Sequence, residues 1–538
     1  MNRFFVLLFV VLSFSIANAR VSIIPLPQKC VEKKGTFDLN SMTVIRFSGD
    51  SKEMRNAVSV FNDLLSQSAG FSIPIVTEPR KNNVINCELV SDLKNNAAYR
   101  LTVSSKKIQI EAKTPTGVFY AFQSLRQLLP PAIESKSLVP DCKWSIPCVY
   151  VEDSPSFEYR GMMLDVSRHF IGKDDVKRYI DMLAFHKMNK FHWHLTDDQG
   201  WRIEIKKYPK LTSVGGFRNK TIEGYMWNKP TEWDTNRYGG FYTQEDIKEV
   251  VNYAQKRFVE IIPEIEMPGH AVAALAAYPE YSCSGGPFEV EGRWGIFEDI
   301  FCSKEPTFQF LTDVLDEVIS LFPSDYIHLG GDEAPRLRWK NCVHCQERMK
   351  QENLKNEAEL QTYFMNRIES YLNGKGKKMI GWDEILEGGV PQRATVMSWR
   401  GEKGGIEAAK LGYDVIMTPH TYLYFNQHQL GEKDTVGVKR RLISLEKVYD
   451  YHPVPDALTE KESVYIKGVQ ANLWTEYLTS VNEYDFSLYP RMAALSEVAW
   501  TEREKKNFKE FYSRLDNIKQ HYDYMGINYC KDIYIKKE

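Results

Sequence analysis

The chain has 538 residues, 43% of them hydrophobic and 26% charged, with a formal net charge of −2. That length and composition predict two or three well-packed domains. The near-neutral balance leaves no charge excess for gripping nucleic acid or an anionic membrane surface.

The opening segment, "MNRFFVLLFVVLSFSIANA", sets Arg3 before an apolar run and ends in Ala17-Asn18-Ala19. This is the pattern of a secretory signal peptide over residues 1–19. The run is shorter than the roughly 20 residues of a membrane span, and no later segment is long and apolar enough to be one. The mature protein is expected to be exported, to a lysosomal, extracellular or periplasmic location.

Export makes disulfides chemically accessible. There are nine cysteines, so at least one is expected to be free or paired between chains. Cys342-Val-His-Cys345 has half of a zinc-ribbon spacing, but no second C-x-x-C follows it. A disulfide or loop staple is therefore expected there rather than zinc, and neither metal nor cofactor is expected in the protein. Asn219-Lys220-Thr221 is a glycosylation sequon.

Residues 20–153 read as a smaller α+β domain. "MTVIRFSGD" is a predicted strand, and residues 52–69 carry helical spacing through Val58, Phe61, Leu64 and Leu65. "YRLTVSSKKIQIEA" alternates about Ser104-Ser105 as a hairpin does. "TGVFYAFQSLRQLLP" is a predicted helix closed by Pro130-Pro131. No reactive constellation falls in this domain.

Over residues 154–505 short β-rich runs alternate with helical stretches: "YRGMMLDVS", "KFHWHLTD", "FVEIIPEIE", "YIHLGGDE", "KKMIGWDE", "TVMSWR", "YDVIMTP" and "YIKGVQANLW". Eight such runs predict an α/β fold, a (β/α)8 TIM barrel with its site at the C-terminal strand ends. A doubly wound sheet is the alternative. Residues 506–538 are expected to form a C-terminal helical extension packing on the barrel.

The predicted strand ends carry Asp165 and Arg168; Asp197 and Asp198; Glu264, Glu266 and His270; Asp332 and Glu333; Trp382; Trp399; Tyr422, Tyr424 and Asn426; Trp474 and Glu476. Acids, an arginine, a histidine and tryptophans at one end of a barrel make a polar pocket with aromatic walls. Such a pocket suits a carbohydrate, whose apolar faces stack on rings while its hydroxyls bond to carboxylates and guanidinium. Each residue has a plainer reading. Asp332 and Glu333 would equally well cap the next helix, the tryptophans would serve as packing, and His270 would be a hydrogen-bonded structural histidine.

"FHWHLTDDQGWR", "IPEIEMPGH", "HLGGDEAPRLRW", "IGWDEIL", "VMSWRG" and "QANLWTEY", in that order along the chain, resemble glycoside hydrolase family 20, the β-N-acetylhexosaminidases. The resemblance spans nearly the whole mature chain. It implies removal of terminal non-reducing β-linked N-acetylglucosamine, and N-acetylgalactosamine, from an oligosaccharide or glycoconjugate, with retention at C1. Most glycosidases set two carboxyl groups about 5 to 9.5 Å apart across the bond, and this family is an exception in which the 2-acetamido oxygen attacks. Adjacent residues on a strand face opposite ways, so Asp332 and Glu333 are expected not to flank one bond as acid and nucleophile.

By motif, Glu333 is then the acid and later the base, starting protonated, and Asp332 holds the acetamido N–H as a carboxylate. Tyr424 donates to the acetamido oxygen, and Trp382, Trp399 and Trp474 wall its methyl group. Arg168 and Glu476 take the outer hydroxyls and Asn426 the far side of the ring. His270, Asp197 and Glu266 orient Glu333 from behind. By analogy with relatives a homodimer is expected. Two rivals remain at this point. One is a metal-dependent hydrolase built on His192, His194, Asp197 and Asp198; the other is a non-catalytic sugar-binding barrel, expected to lack Asp332, Glu333 or Tyr424.

Overall fold

The computed structural model describes residues 21–49, 51–227, 229–389 and 393–534; the expected signal segment lies outside them. Residues 29–153 form a seven-stranded mixed sheet, in the order Lys29–Asp38, Ser145–Asp153, Tyr99–Val103, Lys107–Ala112, Val84–Leu89, Val44–Phe47 and Ile75–Val76. The hairpin read about Ser104-Ser105 is present, with Tyr99–Val103 antiparallel to Lys107–Ala112. Helix Lys52–Ser68 starts where the Ser51 side chain accepts from the Met54 N–H, and it buries Met54, Ala57, Val58, Phe61 and Leu65. Those positions are one face at 3.6-residue spacing. A second helix, Pro115–Leu128, packs on it and on the hairpin strands.

Eight parallel strands follow: β1 Tyr159–Asp165, β2 Lys190–His194, β3 Glu260–Glu264, β4 Tyr326–His328, β5 Lys378–Trp382, β6 Thr395–Ser398, β7 Val415–Met417 and β8 Ile466–Leu473. β8 pairs back onto β1, from Gly468 opposite Tyr159 to Leu473 opposite Leu164, so the sheet closes into a barrel. A doubly wound sheet would keep two free edges, and that alternative is excluded. All eight strands fall within the runs read from sequence. Among the described residues no helix is long and apolar enough to cross a membrane.

The two units meet at Asp153, which accepts from Trp500 Nε1 at 2.7 Å, Tyr99 Oη at 2.7 Å and Lys187 Nζ at 3.0 Å. Lys187 and Asp153 side chains are both fully buried. Helix Phe508–Met525 does more than pack on the barrel. His521 bonds Glu134 (2.9 Å) and Asn517 the Gln127 carbonyl (3.0 Å) in the N-terminal unit, while Arg514 reaches Glu497 (2.6 Å) and Tyr522 His186 (2.7 Å) in the barrel. The extension is thus a tie across the seam. A cleft of about 910 Å³ opens between the units at the N-terminal strand ends, lined by Arg160, Lys190, Glu260 and Asp325. It is the larger cavity, but it lies at the opposite end of the barrel from the acid-rich loops.

No cysteine is in a disulfide: all nine are free. The expected disulfides are thus not shown by the structure. Cys342 and Cys345 are turned towards Cys283 and Cys302 rather than joined to each other.

Removing one partner of a buried pair strands a charge, at a cost of about 3–5 kcal/mol. Asp153→Ala should therefore lower unfolding stability by about that amount, measured by urea titration. A loss below about 1 kcal/mol would mean that Lys187 is neutral or finds water at the seam.

Candidate active site

The pocket begins with a strand that stops early. β4 ends at His328, and Gly330 and Gly331 follow with φ of +67° and +94°. A Cβ on Gly330 would lie 1.8 Å from Glu266 Oε1, so only glycine lets that carboxyl lie over the turn. The Gly331 N–H then donates to Glu266 Oε1 at 3.1 Å. Two residues on, Glu333 itself has φ +43°, and His270, at the end of the β3 loop, has φ +48°. Left-handed backbone at non-glycine residues is costly and clusters at functional sites. Here its effect is geometric: Asp332 and Glu333 both turn into the pocket, and each carboxylate, with His270 Nε2, falls within 4.8 Å of the others. The expectation from strand alternation is corrected, because neither acid is on a strand.

His270 joins the acids to the floor. Its Nδ1 lies 2.9 Å from Asp198 Oδ2 and 3.3 Å from Asp197 Oδ1, and its Nε2 lies 3.7 Å from Asp332 and 3.6 Å from Glu333. Burial disfavours the imidazolium, but the Asp197 and Asp198 carboxylates outweigh burial and raise the His270 pKa well above its ordinary value. Glu266 is raised well above the carboxylate range, first by burial and then by the charge of Asp332. Asp332 is raised too, by burial, but His270 opposes that shift. With no cation of its own, Glu266 keeps the proton of the pair and Asp332 is the better anion. The Glu333 side chain is 35% exposed, against 13% for Asp332.

Beneath them lies an ionic core. Glu264 accepts from His192 Nε2 (3.0 Å) and Trp382 Nε1 (2.9 Å), lies 2.8 Å from His328 Nδ1, which itself accepts from the Gly330 N–H (3.0 Å), and also contacts His194 Nδ1. Burial opposes a charged His194, yet Glu264 and Asp197 lift its pKa to about 10; burial, helped by the neighbouring His328 and His194, outweighs Glu264 and keeps His192 low, at about 4. His192 and His194 do share one face, but it is the barrel interior, and both are spent on Glu264. The rival that needs them as ligands at the strand ends loses them to the core.

Above this floor is a cavity of about 430 Å³ lined by Arg168, His270, Asp332, Glu333, Trp382, Trp399, Tyr424, Asn426, Trp474 and Glu476. Trp399 and Tyr424 stack with centroids 6.1 Å apart, and Trp474 closes the wall at 6.0 Å from Trp382 and 6.2 Å from Tyr424. Arg168 is fixed by Asp197 (2.7 Å), Asp165 (3.3 Å) and Gln199 (3.0 Å), over the Trp474 ring. Asp332 Oδ1, Glu476 Oε2, Asn426 Oδ1, Trp474 Nε1 and Tyr477 Oη are buried with no hydrogen-bond partner in the protein. Buried polar atoms are nearly always paired. Several orphans around one cavity of aromatic rings define a site for a hydroxyl-rich ligand with one flat apolar face.

Two sequence readings change place. Asp197 does not line the cavity: it is buried behind Arg168, and it bonds His194 at 2.9 Å. Asp198 is the nearer partner of His270, and it also accepts from the Val272 N–H at 3.0 Å. Tyr422 packs on Tyr451 (4.9 Å), outside the pocket. The sequence reading missed Glu384, which accepts from Trp399 Nε1 at 2.8 Å and is pushed by burial, then by Asp332, to about 9. It also missed Trp294, a wall residue on a loop with no strand pattern near it, and Tyr477, which ends the "QANLWTEY" segment just past β8. The "GWDE" segment contained the signal for Glu384, an acid placed just past a strand end.

The fold and site define a (β/α)8 barrel whose C-terminal mouth is shaped for a sugar. Residues 157–503 match the glycosyl hydrolase family 20 catalytic domain and residues 20–154 that family's domain 2. The chain belongs to glycosyl hydrolase family 20. It is 45% identical over 516 residues to a beta-hexosaminidase of Porphyromonas gingivalis, covering 95% of this chain and 64% of that protein's length. The chain thus spans somewhat under two thirds of that curated relative. The Streptomyces plicatus N-acetyl-beta-hexosaminidase, solved in complex with Thio-NAglucal, superposes with a TM-score of 0.83 at 30% identity, covering 95% of this chain and 96% of that one. The exo beta-N-acetylglucosaminidase of Vibrio harveyi, in complex with N-acetylglucosamine, gives 0.82 at 31% identity over 94% and 78%.

Asp198→Asn removes one of the charges that hold the His270 proton. The His270 titration should move to lower pH in the variant, read from the labelled imidazole by NMR. An unmoved titration would assign the shift to Asp197 and Glu333 instead.

Proposed function

We propose that the protein is an exo-acting β-N-acetylhexosaminidase that removes terminal β-linked N-acetylglucosamine, and N-acetylgalactosamine, with retention through the substrate's own acetamido group. The observation that carries this reading is the orphaned Asp332 Oδ1, buried beside three tryptophans and Tyr424. A carboxylate so placed accepts an N–H, and the rings around it hold a methyl.

In the first step the acetamido carbonyl oxygen forms a bond to C1 as the C1–O glycosidic bond breaks. Glu333 gives its proton to the departing oxygen. Positive charge grows on the amide nitrogen, where Asp332 takes the N–H and opposes the charge. Tyr424 steers the carbonyl oxygen. In the second step Glu333, now a carboxylate, takes a proton from water as the water oxygen bonds to C1 and the oxazoline ring opens. The two inversions at C1 give net retention. Arg168 uses three of its five N–H groups on Gln199, Asp165 and Asp197; the others grip outer hydroxyls in a fork that lysine lacks. Glu476 and Asn426 add acceptors around the same ring.

Glu333→Gln should lower kcat about 100- to 10,000-fold on substrates with poor leaving groups and far less on activated aryl glycosides. Equal losses on both would remove Glu333 from the acid role. Hydrolysis of 4-nitrophenyl β-GlcNAc, β-GalNAc and β-Glc, with an N-trifluoroacetyl analogue of the first, tests the acetamido group directly. The glucoside should be inert and the fluorinated analogue slow, because fluorine withdraws density from the attacking oxygen. Strong glucosidase activity, or an unchanged rate with fluorine, would refute the mechanism.

A further inference from the structure

About the loops that follow β3 and β4, four cysteines converge although they are far apart in sequence. Cys283 follows the turn Pro279–Tyr281, and Cys302 follows the bridge between Ser282 and Phe301. Cys342 is the N-cap of helix Val343–Gln351, and Cys345 lies in that helix's first turn. Their sulfur atoms all lie within 4.8 Å of one another. Cys283–Cys345, Cys302–Cys342 and Cys302–Cys345 are each 3.7 Å apart. Cys302, Cys342 and Cys345 are buried.

Those spacings discriminate between chemistries. A disulfide needs about 2.05 Å between sulfurs. Four thiolates at about 2.3 Å from a zinc ion sit at the corners of a tetrahedron whose edge is about 3.8 Å. Cys342 and Cys345 supply the C-x-x-C knuckle at a helix start that structural zinc sites use. The second pair is present after all, upstream and without C-x-x-C spacing, which is why the sequence did not reveal it.

We propose that Cys283, Cys302, Cys342 and Cys345 bind one structural zinc ion that clamps the β3 loop to the β4 loop behind the acid pair. The ion makes no contact with substrate. From the cluster, Trp339 Nε1 donates to the Phe301 carbonyl at 2.8 Å, and the Phe301 N–H donates to the Pro268 carbonyl at 3.0 Å, two residues before His270. Arg338 pairs with Asp299 at 2.9 Å across the same two loops. The clamp therefore sets where His270 stands relative to Asp332 and Glu333. Four bare thiols so close in an oxidising compartment would pair off; a redox-inert ion holds them as thiolates.

The test uses the whole chain, purified without chelator, with metal counted by plasma mass spectrometry. About one zinc per chain is expected, and after exchange with cobalt(II) the intense visible bands of tetrahedral thiolate coordination should appear. Cys302→Ser and Cys345→Ser should each drop the zinc below about a tenth of an equivalent and lower Tm, while Cys530→Ser, away from the cluster, keeps it. If the serine variants do not fold, the metal count and cobalt spectrum of the unmodified protein still decide. Metal-free native protein, zinc retained by both variants, or disulfides among these four cysteines in a non-reducing peptide map would each overturn the proposal.

Discussion

One buried carboxylate organises the mouth of this barrel. Glu264 stands at the end of β3 and takes contacts from β2, through His192 and His194, from β4 through His328, and from β5 through Trp382. An isolated charge at that depth would be prohibitive, and it persists because it is fully surrounded by donors. The three histidines outweigh burial and hold Glu264 well below the ordinary carboxylate range. His194 passes the arrangement on to Asp197, Asp197 to Arg168, and Arg168 to Asp165. From strand to strand, the floor of the pocket is one connected network, so moving any member re-aims the others.

That network also sorts the acids by protonation. Glu264 and Asp197 lie among cations and are held as anions. Glu266 is as deep but has no cation of its own, and Glu384, less deep, shares Arg400 with Asp383 and Glu387; both are raised. Asp332 lies between the two groups, pushed up by burial and pulled down by His270. His270 therefore favours Asp332 over Glu266 and Glu384 as the anion of the cluster. Under the proposed mechanism this is the state that an amide acquiring positive charge requires. The pairing answers why two adjacent acids are not redundant: one is buried with an oxygen left unpartnered, and the other stands half-open towards the mouth.

Much of this was legible in the sequence. The barrel strands announce themselves as short apolar runs because both of their faces are buried, and the motifs fix which acids belong to the mouth. What failed was inference from local periodicity past the point where the strand stops. Gly330 and Gly331 take left-handed backbone and Glu333 follows them, so alternation no longer governs where the Asp332 side chain goes. The same limit explains Asp197 and Asp198. Asp197 ends the two-residue strand Thr196–Asp197 and Asp198 opens the turn after it, and only the fold decides which of them lies nearer His270. Trp294 arrives on a long loop, where no repeat spacing marks a residue as belonging to a pocket.

The left-handed residues carry a thermodynamic consequence. Glu333 and His270 each sit in backbone that costs about 1–3 kcal/mol for a residue with a Cβ, and their loops have little regular structure to offset it. The compensation is found where those loops are tied down. Gly331 is held from both sides, its N–H by Glu266 and its carbonyl by Gln361 at 2.8 Å. Gly269 lies so close to Ala334 that an added Cβ would come within 3.2 Å of that residue's Cα. Trp339, fully buried, pins the far end of the β4 loop to the β3 loop. The strain and its supports lie on the same two loops, so a defect in either loop should be felt first in the angle between His270 and the acid pair, and only later in the stability of the barrel.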